Sequence, residues 1–302
     1  MDFQSIALPA ELRHRTLSTA AGTVFGEQGG KDRQMNEPAQ LEMDLVLDVG
    51  NTRTKIGLFR AGRLLRWGTL ANGDMAALRA MVAGQRIAHV ITGSTAAPDP
   101  VFTEALGTLA PVFTITGSSP SPLRNAYATP HSLGADRVAN AVGAMRRFPG
   151  RAVLVLDLGT CITYDLCLPD GTYAGGGISP GMRMRARAMN TYSARLPLVE
   201  PAEIPTLVGT STTSALSAGI HFGILGELEG YLRRFRGEYP GLAAVVTGGD
   251  AVRFVRGLES GIFALPQLTL EGYHALFEHD RSLHGARGTA GPGAFDGTGP
   301  AR

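Results

Sequence analysis

One short pattern occurs twice in this chain, and it limits the possible folds more than any other feature. Val46-Leu47-Asp48-Val49-Gly50-Asn51-Thr52 returns as Val155-Leu156-Asp157-Leu158-Gly159-Thr160-Cys161. Each copy is an apolar run ending in Asp-x-Gly, then a small amide or hydroxyl residue, then a second run with strand character. About 110 residues separate the copies, a domain-sized interval. The repeat therefore predicts two related halves, each offering one acidic hairpin to a shared cleft.

The rest of the pattern agrees. Asp44–Leu47 predicts a strand with Lys55–Phe59 as its hairpin partner, and Asp74–Val82 a helix. His89–Thr92 predicts a short strand, and Ala135–Phe148 a helix stopped by Pro149-Gly150. Ala152–Leu156 and Ile162–Leu168 predict a second strand pair. Helices are expected over Met182–Ala194 and Thr213–Phe235, the second weakened by glycines, and a buried strand over Leu242–Val246. Alternating strands and helices predict an α/β fold. Residues 1–42 are polar and irregular and read as a disordered extension, with Met43 a candidate start. Residues 285–302 read as a flexible tail. Between them, 43–150 and 151–284 are the two expected domains.

Composition excludes several classes. Hydrophobic residues make up 44% of the chain, enough to bury a real core. The net charge is only +2, so nothing calls for a nucleic-acid partner. Apolar runs such as Ala152–Leu156 are too short to span a membrane. The N-terminus has no secretion signal pattern. Two cysteines, Cys161 and Cys167, make no disulfide framework and fit a reducing cytoplasm.

The first hairpin, Asp48-Val49-Gly50-Asn51-Thr52-Arg53-Thr54-Lys55, carries chemistry suited to nucleotide phosphates. Gly50 permits close approach to the backbone. Asn51, Thr52 and nearby amides can donate to phosphate oxygens, Lys55 adds positive charge, and Asp48 suits Mg²⁺. A single copy could equally be a plain hairpin turn; two copies in register argue against that. In the second copy Thr160 can bind phosphate, and alternation puts Cys161, Thr163, Asp165 and Cys167 on one strand face. The cysteines read most simply as small strand residues. Val245-Val246-Thr247-Gly248-Gly249-Asp250-Ala251 is a strand running into a bare turn, against which adenine or phosphate could pack. An ordinary connection explains it as well.

Gly134-Ala135-Asp136-Arg137 opens a helix. Asp136 could act as a base and Arg137 could hold a carboxylate or phosphate, although from the residues alone a dipole-favoured helix-start acid beside a surface arginine is the simpler reading. Gly175–Gly181 does not fit the dinucleotide fingerprint, and neither a Walker loop, zinc spacing nor a serine elbow occurs.

In combination these motifs resemble the type III pantothenate kinase family. Asp48–Lys55, Gly134–Arg137, Asp157–Thr160, Gly175–Gly181 and Val246–Gly249 occur in that family's order, over about Met43 to Glu278. Tyr127, Gly209-Thr210-Ser211-Thr212 and Leu268–Tyr273 resemble further family features, with Tyr273 where leucine is usual. The resemblance implies two ribonuclease H-like domains of the acetate kinase/hsp70/actin superfamily. It also implies phosphorylation of pantothenate by ATP, a homodimer, and dependence on Mg²⁺ and a monovalent cation, K⁺ or NH₄⁺. By that resemblance Asp136 is the base, and Tyr127, Gly134, Ala135, Arg137 and Thr212 hold pantothenate. Asp48, Val49, Gly50, Asn51, Thr52, Arg53, Thr54, Lys55 and Thr160 hold ATP, and Asp157 holds the monovalent cation. Some Bvg accessory factor-like relatives are described as accessory factors for virulence-gene transcription, which leaves a regulatory role, or another small-molecule kinase of the superfamily, as the alternative.

Overall fold

A computed structural model describes residues 17–18, 24–27, 42–96, 99–200, 204–258 and 261–285. The expected tail from 286 onward lies outside them, as does most of the expected N-terminal extension. The described pieces of that extension are two short strands, β1 (Leu17–Ser18) and β2 (Val24–Glu27), rather than irregular chain.

The first half begins with the antiparallel strands β3 (Met43–Val49), β4 (Thr54–Arg60) and β5 (Arg63–Leu70). Helix α1 (Met75–Val82) leads to β6 (Ile87–Ser94), and α2 (Pro100–Gly107) leads to β7 (Val112–Ile115). Strands β6 and β7 run parallel to β3. Both helices start on a capping acid: Asp74 accepts from the Ala77 amide and Asp99 from that of Phe102.

The second half repeats the plan. After β8 (Arg124–Asn125) and helix α3 (Ala135–Arg147) come the antiparallel strands β9 (Val153–Leu158), β10 (Cys161–Cys167) and β11 (Thr172–Pro180). Helices α4 (Met182–Thr191) and α5 (Thr212–Glu238) precede β12 (Ala243–Thr247), then come α6 (Ala251–Phe254), β13 (Ile262–Ala264) and α7 (Leu268–Gly285). The sheet orders are β1-β2-β5-β4-β3-β6-β7 and β13-β12-β9-β10-β11-β8. Each sheet holds the same core of three antiparallel strands followed by two parallel ones, ordered 3-2-1-4-5. That is the ribonuclease H-like sheet, present twice, and the pair defines the acetate kinase/hsp70/actin class of fold.

Strand alternation distributes the core. Leu45 and Leu47 face α1 and α2, whereas Val46 faces the middle of the molecule. Leu154, Leu156 and Leu158 face α5, whereas Val153 and Val155 face the middle. Between the sheets lie α3 and α7, packed on each other. The crossing is close because α3 is rich in alanine and because a side chain at Gly272 would strike the Ala139 carbonyl. Helix α5 forms despite its glycines: Leu216, Ile220, Ile224, Leu228 and Leu232 make a buried stripe four residues apart, and burial overrides propensity. Helix α4 ends earlier than its composition predicts, where Asn190 donates to the Leu196 carbonyl and the chain reverses. Strand β11 carries three consecutive glycines, a poor strand signal. The strand needs them, since a side chain at Gly176 would collide with the Tyr164 backbone of β10.

Candidate active site

The repeated pattern builds both hairpins as expected. Asp48 lies one residue before the end of β3, opposite Lys55, with Oδ2 3.6 Å from the lysine Nζ. Asp157 lies near the end of β9, paired with Thr163 on β10 and Thr247 on β12. The turns close by Gly50 N–H donating to the Arg53 carbonyl and Gly159 N–H to that of Cys161. Asn72 steadies the first turn, donating to the Gly50 carbonyl and accepting from Thr54 Oγ1. Asn51, Thr52 and Arg53 remain exposed at its tip. The Thr52 and Thr160 hydroxyls stand 3.3 Å apart, so the two hairpins meet across the cleft.

Gly134 precedes α3, and Asp136 occupies that helix's first turn. A side chain at Gly134 would strike the Asp136 carboxylate, which turns back to accept from the Arg137 amide at 2.9 Å. Burial pushes the Asp136 carboxyl up to about 7, with the negative charges of Asp157 and Asp48 adding to it. Burial raises Asp48 as well, partly offset by Lys55. Lys55 moves up too: burial opposes its charge, but Asp157 and Asp48 outweigh that. Three carboxylates and one ammonium thus share one cleft, with negative charge in excess.

Arg137 is not the free fork that sequence reading expected. It is 5% exposed, and its Nε donates to Asp165 Oδ1 at 2.8 Å. Tyr173 and Thr163 donate to the same carboxylate at 2.6 and 2.9 Å. The guanidinium also lies 5.6 Å from the Tyr127 ring centre, which ties Tyr127 to the start of α3. Sequence reasoning put Asp165 on the correct strand face but gave it no role. An acid on a buried strand face requires a cation, and that signal was available. Asn140 was missed too. It follows Asp136 by one helical turn and donates to Asp157 Oδ2 at 2.8 Å. Both described cysteines are free thiols, Cys167 buried and Cys161 half-buried.

Thr212 is not brought to this group. It is exposed in the first turn of α5, and α5 packs on the opposite face of the second sheet from α3. Two cavities flank the acids. One of about 210 Å³ lies between the halves, lined by Lys55, Trp67, Gly248, Gly249, Pro266 and Leu270. Gly248 has φ +94°, and a side chain there would strike Asp157 and the Leu158 carbonyl, so the bare turn is a requirement of the packing. The other, about 330 Å³, is lined by Ser119, Leu123, Asn125, Val138 and Tyr173, beside the Arg137 group. Among the described residues no helix is long and apolar enough to cross a membrane.

Two ribonuclease H-like halves whose hairpins meet across a cleft place the chain in the acetate kinase/hsp70/actin class of fold. The profile of one family, type III pantothenate kinase, matches residues 44–234. The chain is 36% identical to the type III pantothenate kinase of Christiangramia forsetii over 242 residues, covering 80% of this chain and all of that protein. It is 36% identical over 243 residues to the enzyme of the same name from Phocaeicola vulgatus, again covering 80% of this chain and all of the relative. The chain belongs to the type III pantothenate kinase family. Among solved structures it resembles a conserved putative Baf family transcriptional activator from Campylobacter jejuni, at 19% identity and TM-score 0.47, covering 79% of this chain and 99% of that one.

Proposed function

We infer that this chain transfers a phosphoryl group from ATP to pantothenate, giving 4′-phosphopantothenate, the first step of coenzyme A synthesis. The observation that carries this is Asp136. It is a carboxylate in the first turn of a helix, in a cleft formed by two phosphate-binding hairpins, with its proton affinity raised to about 7. A base near the working pH can take the proton of a primary hydroxyl as the nucleophile forms. Phosphoryl transfer otherwise needs positioning and charge neutralisation, because its transition state is loose.

The remaining roles follow from chemistry. Asp48 through Lys55 and Thr160 bind the ATP phosphates, with amides, hydroxyls and one ammonium as donors. The nucleoside has room in the cavity beside Gly248 and Gly249. Mg²⁺ neutralises phosphate charge when bound. The donor set fits it, since Asp48 offers a carboxylate at the hairpin and the charges of Asp157 and Asp48 acting on Asp136 mark a deficit of positive charge. Among the described residues no group of three or more His, Cys, Asp or Glu side chains is placed to hold a metal ion by itself. For K⁺ or NH₄⁺ the support lies around Asp157. Asn140 Oδ1 and Thr247 Oγ1 are buried oxygens without a partner, on the helix and strand that flank it.

On the acceptor side, Tyr127, Gly134, Ala135 and Arg137 bind pantothenate. The charge of Arg137 is already balanced by Asp165, so it acts as an oriented donor more than as a free cation. Thr212 starts a helix on the opposite face of the second sheet from α3, so a Thr212 supplied by a second copy would complete the acceptor site, and this supports a homodimer. So do exposed apolar side chains of the second half, among them Ile178, Tyr192, Leu198, Ile204, Leu207 and Val208. ATP as donor and free thiols point to the cytoplasm.

A coupled assay with ATP and pantothenate tests the reading directly. We expect turnover with Mg²⁺, faster in K⁺ or NH₄⁺ than in Na⁺, and Asp157→Asn abolishing that preference. No ATP-dependent consumption of pantothenate would overturn the activity, and equal rates in all three salts would overturn the role of Asp157.

A further inference from the structure

Helix α7 delivers a polar atom to the acids that the roles above leave unused. Tyr273 is wholly buried, with 0% of its surface exposed. Its ring lies against Gly93 of β6, where any side chain would overlap the phenol carbon and oxygen. Gly93 is the β6 neighbour of Asp48 in the parallel pairing of β3 with β6. The ring therefore meets β6 at that strand's one glycine, the position paired with Asp48 of β3.

That hydroxyl is sealed from solvent and has no partner in full hydrogen-bond geometry. Asp48 is the β3 residue paired with Gly93, the position against which the phenol oxygen lies, so its carboxylate is the acceptor on that side. A group of this kind is a donor. A phenylalanine would fill the same space without burying an unpaired hydroxyl, so packing alone does not account for the oxygen.

The neighbouring residue fixes where the ring stands. His274 Nε2 meets Asp44 Oδ2 at 2.9 Å, and its ring stacks on Phe59 at 4.4 Å between centres. The other oxygen of Asp44 meets His89 Nδ1 at 2.7 Å. This pair of contacts ties α7 to β3 and β6, the two strands that Tyr273 spans.

We propose that Tyr273 is a positioning residue for phosphoryl transfer, its hydroxyl donating to the Asp48 carboxylate and holding it in the orientation that the Mg²⁺–nucleotide requires. The proposal rests on the kinase reading above. It concerns the nucleotide side of the cleft only, so pantothenate binding should not depend on it.

The test compares Tyr273→Phe and Tyr273→Leu with wild type, by kinetics and by direct binding. Trp67 is the chain's one tryptophan and lines the cavity with Lys55, so its fluorescence reports nucleotide. Tyr273→Phe should melt like wild type and keep its KM for pantothenate. Its kcat should fall about tenfold, and the Mg²⁺ concentration for half-maximal rate should rise by a similar factor, the usual size of one lost charge-assisted bond. Its affinity for Mg·ADP should weaken in parallel, while affinity for ADP in EDTA stays unchanged. Tyr273→Leu should show the same losses with a lower Tm. A Tyr273→Phe protein that matches wild type in kcat, Mg²⁺ requirement and Mg·ADP affinity would overturn the proposal and make Tyr273 a core filler. A wild type that binds Mg·ADP but leaves pantothenate untouched would overturn the kinase reading instead. The binding comparison would then still decide the role of Tyr273.

Discussion

Thr52 and Thr160 are 108 residues apart in sequence, and their hydroxyls stand 3.3 Å apart at the tips of two hairpins. On the proposed function, this contact marks where a bound phosphate would be gripped from both sides. Thr160→Val keeps the β-branched shape and removes the hydroxyl. We expect KM for ATP to rise about tenfold, in line with one lost bond to a charged group, with KM for pantothenate unchanged. Initial rates at varied ATP and then varied pantothenate measure both. A change in the pantothenate constant alone would move Thr160 to the acceptor side.

Asp136 carries an expectation on pH and one on stability. As base it must be ionised, so kcat/KM should rise with pH through about 7, where burial and the Asp157 and Asp48 charges hold its carboxyl. Asp136→Asn should lose that limb and cut kcat by about 10²–10⁴-fold. For stability the sign runs the other way. A carboxyl raised in the folded state favours folding fully below its unfolded value near 3.8, and that contribution is lost as pH rises through about 7. Asp136→Asn should therefore melt several degrees above wild type at pH 8, and the gap should narrow towards pH 5. Paired melting curves at the two pH values check this. An Asn variant with near-normal kcat would leave Asp136 a helix-start acid and nothing more.

Much of this was legible before any coordinates. The doubled Asp-x-Gly pattern gave both hairpins and their opposition, because a strand ending in an acid and a tight turn is a local feature. The start of α3 was legible for the same reason. What was not legible depends on contacts far apart in sequence. The three glycines of β11 form a strand because β10 leaves no room for side chains, which no local propensity reports. Strands β5 and β7 are half-buried and mixed in composition, so their periodicity is weak. Tyr273 was visible as an unexpected residue, but its place beside Asp48 depends on α7 returning to the first sheet from the far end of the chain. Arg137 was read as a free donor because its partner, Asp165, lies 28 residues further on, on the middle strand of the other hairpin.

That pair gives a prediction of its own. Asp165 has no exposed surface and Arg137 is 5% exposed, so each is the other's counter-charge. Asp165→Asn keeps the shape and most of the hydrogen bonding but leaves a guanidinium buried without compensation. Breaking such a pair costs about 3–5 kcal/mol. Denaturant unfolding should show a loss of that order, and pantothenate binding should weaken because Arg137 and Tyr127 lose their fixed positions. Asp165→Asn combined with Arg137→Met removes both charges and should recover much of the stability but not the binding. A single Asp165→Asn variant as stable as wild type would show that solvent already reaches the pair.

The position of Thr212 makes the last prediction. It stands at the start of α5, a helix packed across the second sheet from α3, and the proposed function has it serve the Asp136 of a second copy. This can be tested without a structure of the dimer. Asp136→Asn and Thr212→Trp should each be nearly inactive alone, the first lacking its base and the second its acceptor pocket. Mixed after mild dissociation, the two variants form heterodimers in which one site inherits both defects and the other inherits neither. With random pairing about half the dimers are mixed, each with one sound site, so activity should return to about a quarter of wild type. If Thr212 serves the site of its own chain, every site in the mixture carries a defect and nothing returns. A control mixing Asp136→Asn with Asp48→Asn, two residues of one cleft in the same chain and each expected to be nearly inactive alone, should stay inactive in either case. Recovery in the first mixture and not in the second would assign Thr212 to the partner's site.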